Sequence, residues 1–244
     1  AKAPNDGYTL GLAHVNAMSI IPALGQKMPY NASTDFTPIV LLGITPNILI
    51  ANVDAPAKNV KDLVAYLKQN PGKVSFGSAG NGSTMHIAPE LFKATSNTFI
   101  THIPYRGGGP ALSDTAGGQV DMSFPVASAA AQFVQSGMLR GIGVTGTKRS
   151  PLMPNVPTLA EAGLPAYSFE TWFIVFAPAG TSQTVVDKLN TTLNGTLSNP
   201  TLKARMTKEG FDPIPSTPAQ ARQRLEKEIP VWAKLIKERG ISSD

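Results

Sequence analysis

The sequence contains no cysteine, and charged residues make up only 15 % of its 244 residues. Without cysteine the chain can form no disulfide, no thiolate metal site and no cysteine nucleophile. Lys148 and Arg149 form the one basic doublet, which is too little for a nucleic-acid surface of basic residues interleaved with aromatic ones. The net charge of +5 attracts small anions only weakly at physiological salt. We therefore expect no nucleic-acid partner.

Long apolar runs are also scarce. The longest, residues 39–44 and 48–53, are far shorter than the roughly 20 residues that cross a bilayer as a helix. Hydrophobic residues nevertheless make up 42 % of the chain, and a chain of this length buries roughly 70–75 % of its unfolded surface. The composition therefore predicts one large or two small domains.

Several catalytic and nucleotide-binding motifs are missing. The sequence has neither the G-x-S-x-G of serine hydrolases nor a Gly-Lys-Ser/Thr phosphate loop, and the glycines of residues 76–86 lack the G-x-G-x-x-G spacing. His14, His86 and His102 show no metal-ligand spacing. We expect no catalytic residue, no metal and no cofactor.

The sequence does contain a regular alternation of strand-like and helix-like segments. Apolar residues recur at helical spacing in residues 59–73. A strand-like segment at 73–79 comes next, followed by a helix-like segment at 83–96. The alternation continues to about residue 146 with short connections. Such a series is typical of a mostly parallel sheet covered by helices, and so predicts an α/β fold.

Two long extended segments, residues 39–53 and 168–178, bracket this series, and Pro46 interrupts the first. We interpret them as two crossing strands that connect an inserted lobe to the rest of the chain. The predicted lobe I is 1–46 with 179–244, and the predicted lobe II is 47–178. Ligands of two-lobed α/β proteins usually bind in the cleft between lobes, at the carboxyl ends of strands.

The segment FGSAGNGSTMH, residues 76–86, is a candidate anion-binding loop. Ser83 or Thr84 is a suitable N-cap for the following helix, whose first N–H groups attract anions. A strand-to-helix turn that uses its glycines only for geometry is the alternative. Pro89 falls in the first two turns of this helix, where it removes an amide and predicts a kink or a wide first turn.

The segment IPYRGGGPALSD, residues 103–114, repeats this design. Pro110 suits the first helical position. Arg106 could bind a carboxylate through two parallel hydrogen bonds, although an arginine facing solvent is the alternative.

These blocks carry a resemblance. The segments DGYTLGLAHVNAMSIIPAL, FGSAGNGSTMHIAPELFKA, IPYRGGGPAL and VPTLAEAGLPAYSFETWFIVFAPAGT resemble the Bug, or TctC-like, family of periplasmic receptors of tripartite tricarboxylate transporters. The resemblance runs from end to end. It implies a two-lobed Venus-flytrap fold of the type II periplasmic-binding kind without enzymatic activity. It also implies a monomeric periplasmic protein that captures a small carboxylate or related organic acid and delivers it to membrane permease subunits.

The resemblance also implies which residues bind the ligand. In lobe II they are Ser78, Ala79, Gly80, Asn81, Gly82, Ser83, Thr84, Tyr105, Arg106, Gly107 and Asp121. In lobe I they are His14, Val15, Asn16 and Ala17, and Trp172, near the second crossing strand, could form a wall of the pocket. Three alternatives stay open: Trp172 as hinge packing, Asp121 as a local turn cap and His14 as a surface histidine.

Two features depart from the family pattern. Family members begin with a strand, a small-residue loop, a helix and a glycine-rich loop before the segment that corresponds to residues 6–10, so we expect earlier residues to be missing here. Family members also tend to carry alanine where Pro89 stands. The competing functions are a hydrolytic or acyl-transfer enzyme that uses the same cleft and a ligand-sensing domain.

Overall fold

The computed structural model describes residues 1–242. The strands are β1 Gly11–His14, β2 Phe36–Pro46, β3 Ile48–Asn52, β4 Ser75–Ser78, β5 Thr101–Pro104, β6 Met122–Ser123, β7 Leu139–Val144, β8 Glu170–Pro178 and β9 Asp212–Pro213. The α-helices are α1 Ile21–Ala23, α2 Val60–Gln69, α3 Thr84–Ser96, α4 Gly108–Ala116, α5 Ala127–Gln135, α6 Gln183–Leu197, α7 Pro200–Lys208 and α8 Pro218–Arg239. A π-helical turn, Asn16–Ile20, precedes α1.

The chain divides into two compact units. Within the described residues, unit 1 consists of Ala1–Ile44 and residues 171–242, and unit 2 is Thr45–Glu170. The lobe boundaries predicted at 46/47 and 178/179 stay predictions. The structure places the second division earlier because β8 pairs with β1 over Phe173–Phe176 and thus belongs to the sheet of unit 1.

The sheet of unit 2 has the strand order β5-β4-β6-β3-β7. Strand β4 is parallel to β5 and β6, whereas β3 is antiparallel to β6 and β7. Within the described residues of this sheet, β3 therefore runs against all its neighbours, and β4 to β7 share one direction. As a result, the carboxyl ends of β4, β5 and β6 lie at one edge, where α3, α4 and α5 begin.

The sheet of unit 1 has the order β1-β8-β2-β9, with β1 antiparallel to β8 and β2 antiparallel to β9. The expectation of mostly parallel sheets is therefore corrected for this unit, although the α/β class is confirmed. The βα alternation behind that expectation ends near residue 146. It therefore carried no information about the direction of the strands in unit 1.

Local sequence explains where the longer helices begin and end. Asn59 caps α2 by accepting a hydrogen bond from the Asp62 N–H at 2.9 Å. Thr217 and Gln220 form a reciprocal capping box at the start of α8, and α8 ends at Gly240, which has a left-handed φ of 60°. These polar signals are local, and so they were readable from the sequence.

Buried aliphatic side chains cover each sheet. In unit 2, Ile48 and Ile50 on β3 pack with Val144 on β7 and with Ala130 on α5. Every residue of β3 is buried, which suits a central strand with packed faces on both sides. In unit 1, a smaller cluster joins the buried side chains Ile39, Ala177 and Val186.

Helix α3 continues through Pro89 as one α-helix from Thr84 to Ser96. Proline lacks the N–H that would otherwise bond to the Met85 carbonyl. The kink predicted at this position stays a prediction. Within residues 1–242, none of the helices has the length and apolar character needed to cross a membrane.

Candidate functional site

Three strand-to-helix junctions of unit 2 surround one cavity of about 220 Å³. The junctions lead from β4 to α3, from β5 to α4 and from β6 to α5. The cavity is lined by Ala79, Thr84, Met85, Gly108, Gly109, Leu112, Pro125, Val126 and Ala129. The lining side chains carry no charge, and most are apolar. The cavity therefore combines apolar walls with the positive ends of helix dipoles.

The first N–H groups of α3 are available to a ligand. Among residues 1–242, the backbone N–H groups of Thr84 and Met85 have no hydrogen-bond acceptor. Ser83 is the N-cap residue, as predicted, but its hydroxyl donates to the Gly80 carbonyl at 2.7 Å. The Thr84 N–H, at the first helical position, lies outside the reach of a cap side chain, and the Met85 N–H stays free because the Ser83 hydroxyl is turned away from it. Such donors at a helix start favour an anion.

Internal hydrogen bonds hold the loop between β4 and α3. Gly80 and Gly82 have φ angles of 112° and 70°, which a side chain would strain. The Gly80 N–H donates to Ser78 Oγ at 3.1 Å, and the Gly82 N–H donates to His86 Nδ1 at 3.1 Å. The glycines thus serve loop geometry, and the free donors lie just beyond them, at the start of α3.

The loop between β5 and α4 presents a basic side chain. Arg106 is exposed and has no ion-pair or hydrogen-bond partner within the part of the chain that the structure describes. It precedes Gly107, the N-cap residue of α4, whose φ is 115°. The sequence predicted that Pro110 occupies the first helical position. Helix α4 begins at Gly108, however, so Pro110 occupies the third position. Any position in the first turn tolerates proline, because the N–H groups there lack intrahelical acceptors.

Tyr105 is already engaged. Its hydroxyl donates to Asp114 Oδ2 at 2.8 Å. Burial, together with this hydrogen bond, raises the pKa of Tyr105. Its ring would lie 3.3 Å from a Cβ added at Gly77. Tyr105 therefore stabilises the loop, and the cavity lining given above does not include it.

Asp121 lies at the opposite edge of the sheet. It precedes β6, and its Oδ2 accepts hydrogen bonds from the N–H and hydroxyl of Ser75 at 2.7 and 2.9 Å. Ser75 begins β4, so these contacts join the amino ends of two parallel strands. The structure therefore does not bring Asp121 together with the α3 loop. Its contact with Ser75 is structural, but it joins two strands and is not the local turn cap of the alternative.

The predicted unit 1 residues follow β1. The Asn16 N–H donates to His14 Nδ1 at 3.3 Å, and the Ala17 carbonyl accepts from the Tyr30 hydroxyl at 2.8 Å. Burial lowers the pKa of His14. Val15 is fully buried, so neither its side chain nor its backbone is exposed. The assignment of residues 14–17 to a ligand site stays a prediction.

Trp172 is fully buried in unit 1. Its indole Nε1 donates to Glu228 Oε2 at 2.7 Å, and Trp232 Nε1 donates to the same oxygen at 3.1 Å. This geometry supports the packing interpretation of Trp172, because its ring and its N–H group are both occupied inside unit 1.

A serine–histidine contact lies beneath the loop. Ser78 Oγ is 2.6 Å from His102 Nε2. Burial, together with the nearby His86 and Lys93, lowers the pKa of His102 to about 3. A base this weak is poorly matched to proton abstraction at neutral pH. Ser78 is fully buried, and the residues lining the cavity include neither partner.

Sequence reasoning missed part of this site. Met85, Gly108 and Gly109 follow directly after predicted residues, but the third junction, Pro125–Ala129, was not considered. Its signal was present, because it is the next strand-to-helix step of the same series. Within residues 1–242, no cluster of three or more histidine, aspartate and glutamate side chains could hold a metal ion.

Comparisons with known proteins agree with this architecture. The family model described as "Tripartite tricarboxylate transporter family receptor" matches residues 1–241. The chain is 35 % identical to the UPF0065 protein in the tcbD-tcbE intergenic region of Pseudomonas sp. strain P51, over all of this chain and 73 % of that protein. It is 34 % identical to Protein BugT of Bordetella pertussis, over 98 % of this chain and 74 % of that protein.

Solved structures show the same fold. R. palustris Rpa4515 with adipate superposes with a TM-score of 0.87 at 34 % identity, over 99 % of this chain and 81 % of that chain. The periplasmic binding protein BugD gives a TM-score of 0.82 at 32 % identity, with coverages of 99 % and 81 %. MatC from Rhodopseudomonas palustris with bound malate gives 0.80 at 30 % identity, with coverages of 96 % and 81 %. The predicted family and fold are confirmed.

Proposed function

The chain belongs to the family of tripartite tricarboxylate transporter receptors, and from that membership we propose that it is a periplasmic receptor for a small organic acid. A carboxylate of this ligand accepts hydrogen bonds from the N–H groups of Thr84 and Met85. Arg106, at the neighbouring junction, adds a positive charge. The protein binds the acid without altering it.

The observation that carries this proposal is the convergence of three junctions on one cavity in unit 2. Free N–H groups supply the affinity for a negative charge, and the apolar side chains of Met85, Leu112 and Val126 accommodate the carbon skeleton. A cavity of about 220 Å³ is small, which suits a short aliphatic acid. The neighbours with adipate and malate support this ligand class.

Isothermal titration calorimetry with adipate, malate, succinate and citrate tests binding, and a backbone variant tests the site. Thr84→Pro removes one N–H donor at the first helical position, where proline is tolerated. Ser83 is extended, with φ −68° and ψ 162°, as a residue before proline must be. Loss of a hydrogen bond to a charged group, worth about 1.5–3 kcal/mol, weakens binding roughly 10- to 150-fold.

Two further variants isolate the N–H group. Thr84→Ala keeps the amide and removes the hydroxyl and the γ-methyl group. Gln183→Pro places proline at the same position of α6, after the similarly extended Ser182. We expect both to bind like the wild type within about twofold, since neither removes a backbone N–H donor of the site. Unchanged affinity in Thr84→Pro would contradict the proposed site.

The hydrolytic alternative is favoured by one observation, the 2.6 Å contact between Ser78 and His102. Proton NMR of each bound acid, and of its simple esters, after prolonged incubation separates the two functions. A receptor returns the compounds unchanged. If the wild type forms a product and His102→Gln does not, the protein is an enzyme instead.

The proposal extends to partners. We propose that the protein is a monomer that delivers its ligand to membrane permease subunits, as its family membership suggests. Residues 14–17 of unit 1 remain predicted ligand contacts. Sedimentation with and without the acid tests the monomer, and stimulation of uptake in vesicles that contain the permease tests the partnership.

A further inference from the structure

Two stacked histidines support the loop that leads into the proposed site. His86, on α3, and His102, on β5, have ring centroids 3.9 Å apart and planes inclined by 17°. Phe76 on β4 also stacks with His102, at 4.7 Å between centroids. His86 is only 5 % exposed. The residues that line the cavity include neither histidine, so any effect on a ligand there must act through the loop.

Each imidazole is hydrogen-bonded to the loop. The Gly82 N–H donates to His86 Nδ1 at 3.1 Å. His102 Nε2 is 2.6 Å from Ser78 Oγ, which in turn accepts from the Gly80 N–H at 3.1 Å. Because Nδ1 can accept only when it carries no proton, His86 must be neutral, with its proton on Nε2.

We propose that His86 and His102 are positioning residues of the anion site: both hold the loop in its binding conformation as neutral imidazoles, and protonation of His86 releases the anion. This inference rests on the proposed function. The step from His86 to the ligand is short, because Gly82 and His86 flank Thr84 and Met85, the residues whose N–H groups are free.

The charges around the pair determine the direction of the pH effect. Helix α3 contributes Glu90 and Lys93, and Lys93 Nζ is 2.6 Å from Glu90 Oε1, so these charges largely offset each other. Strand β4 contributes the uncharged Phe76, and β5 contributes His102. Burial lowers the pKa of both histidines. His102, with a pKa of about 3, stays neutral at pH 5.5. His86 is therefore the member of the pair that takes up a proton as the pH falls below the usual histidine value of about 6.5, and binding weakens in that direction.

Substitutions at position 86 separate the acceptor from the titration. His86→Asn can place an amide oxygen near the position of Nδ1, where it accepts from Gly82 but does not titrate. His86→Leu removes the acceptor. Calorimetry with adipate at pH 7.5 should show binding about tenfold or more weaker for His86→Leu and within about threefold of wild type for His86→Asn. Ser96→Ala, which removes a buried hydroxyl at the other end of α3, is the control for a general loss of stability in this helix.

The pH dependence of adipate binding distinguishes a titrating residue from one with only a structural role. Adipate itself titrates toward pH 5.5, so the measured quantity is the ratio of affinities at pH 7.5 and 5.5 in each variant. We expect this ratio to be smaller in His86→Asn than in the wild type and unchanged in Ser96→Ala. Wild-type affinity in His86→Leu, or a wild-type ratio in His86→Asn, would overturn the proposal.

Nitrogen-15 NMR of the free protein keeps this inference separate from the proposed function. His86 should show an unprotonated Nδ1 at pH 7.5, and the Gly82 amide signal should shift as His86 titrates. If the wild type binds neither adipate nor malate, the proposed function fails by itself. In that case, a Gly82 amide shift that does not change with the titration of His86 overturns the role of the pair in the loop. A Gly82 shift that changes with this titration supports that role.

Discussion

Replacement of Glu228 by alanine should reveal a buried polar centre in unit 1. The carboxylate accepts hydrogen bonds from the indoles of Trp172 and Trp232 and pairs with Arg224. The Glu228 side chain is 14 % exposed and Trp172 is fully buried. Glu228→Ala therefore breaks a largely buried ion pair and leaves the Trp172 N–H without its acceptor. We expect the free energy of unfolding to fall by about 3–5 kcal/mol.

Glu228→Gln should cost less, because an amide oxygen still accepts from the indoles while the charge opposite Arg224 is lost. We expect a decrease of about 1–2 kcal/mol. Urea unfolding at 25 °C, followed by tryptophan fluorescence and by far-UV circular dichroism, measures both changes. The chain has two tryptophans, and both contact Glu228, so their fluorescence reports directly on this centre.

Glu238→Ala is the matched control on the same helix. Glu238 pairs with Lys234 at 3.8 Å, but the two side chains are 60 % and 74 % exposed. Exposed pairs of this kind contribute at most about 0.5 kcal/mol. If Glu228→Ala changed the free energy of unfolding no more than Glu238→Ala does, the burial argument would be refuted.

Four shorter predictions concern other parts of the molecule. Asp121→Asn should lower the free energy of unfolding by about 1–2 kcal/mol in urea titrations without changing adipate affinity. Weaker adipate binding at unchanged stability would show that Asp121 contacts the ligand. Gly108→Ala should weaken adipate binding about three- to tenfold in calorimetry, because its Cβ would lie 3.1 Å from Met85 Sδ beside the cavity; equal affinity would mean that the ligand lies elsewhere. Gly195→Ala, inside α6 and with no atom within 4 Å of its Cβ, should raise the free energy of unfolding by about 0.5–1 kcal/mol, and a decrease would show an unrecognised contact. Burial lowers the pKa of His14, His86 and His102 in the folded protein, so the unfolded chain binds more protons than the folded one below about pH 6.5. The free energy of unfolding should therefore be greatest above that pH and fall toward pH 3. Equal urea midpoints at pH 7.5 and 5.5 would contradict neutral buried histidines.

The strand-to-helix series was predictable because it depends on local periodicity. The glycine-rich loop, Ser83 as a cap residue and the break near Pro46 all follow from short-range preferences. The orientation of the Ser83 hydroxyl was not predictable, since its acceptor, the Gly80 carbonyl, becomes available only when Gly80 and Gly82 adopt positive φ. The contact of Asp121 with Ser75 was not predictable, because it joins residues that lie 46 positions apart in the chain.

The α/β class, the family and the position of the glycine-rich loop between β4 and α3 could be read from the sequence, because these depend on the order of segments and on residues close together in the chain. Three contacts became visible only in the folded molecule: Trp172 meets Trp232 at Glu228, Ser75 binds Asp121, and His86 stacks on His102. Each of these contacts joins residues from different elements. Their energies depend on burial and on distances of a few ångströms, which are set when the sheets and helices pack together.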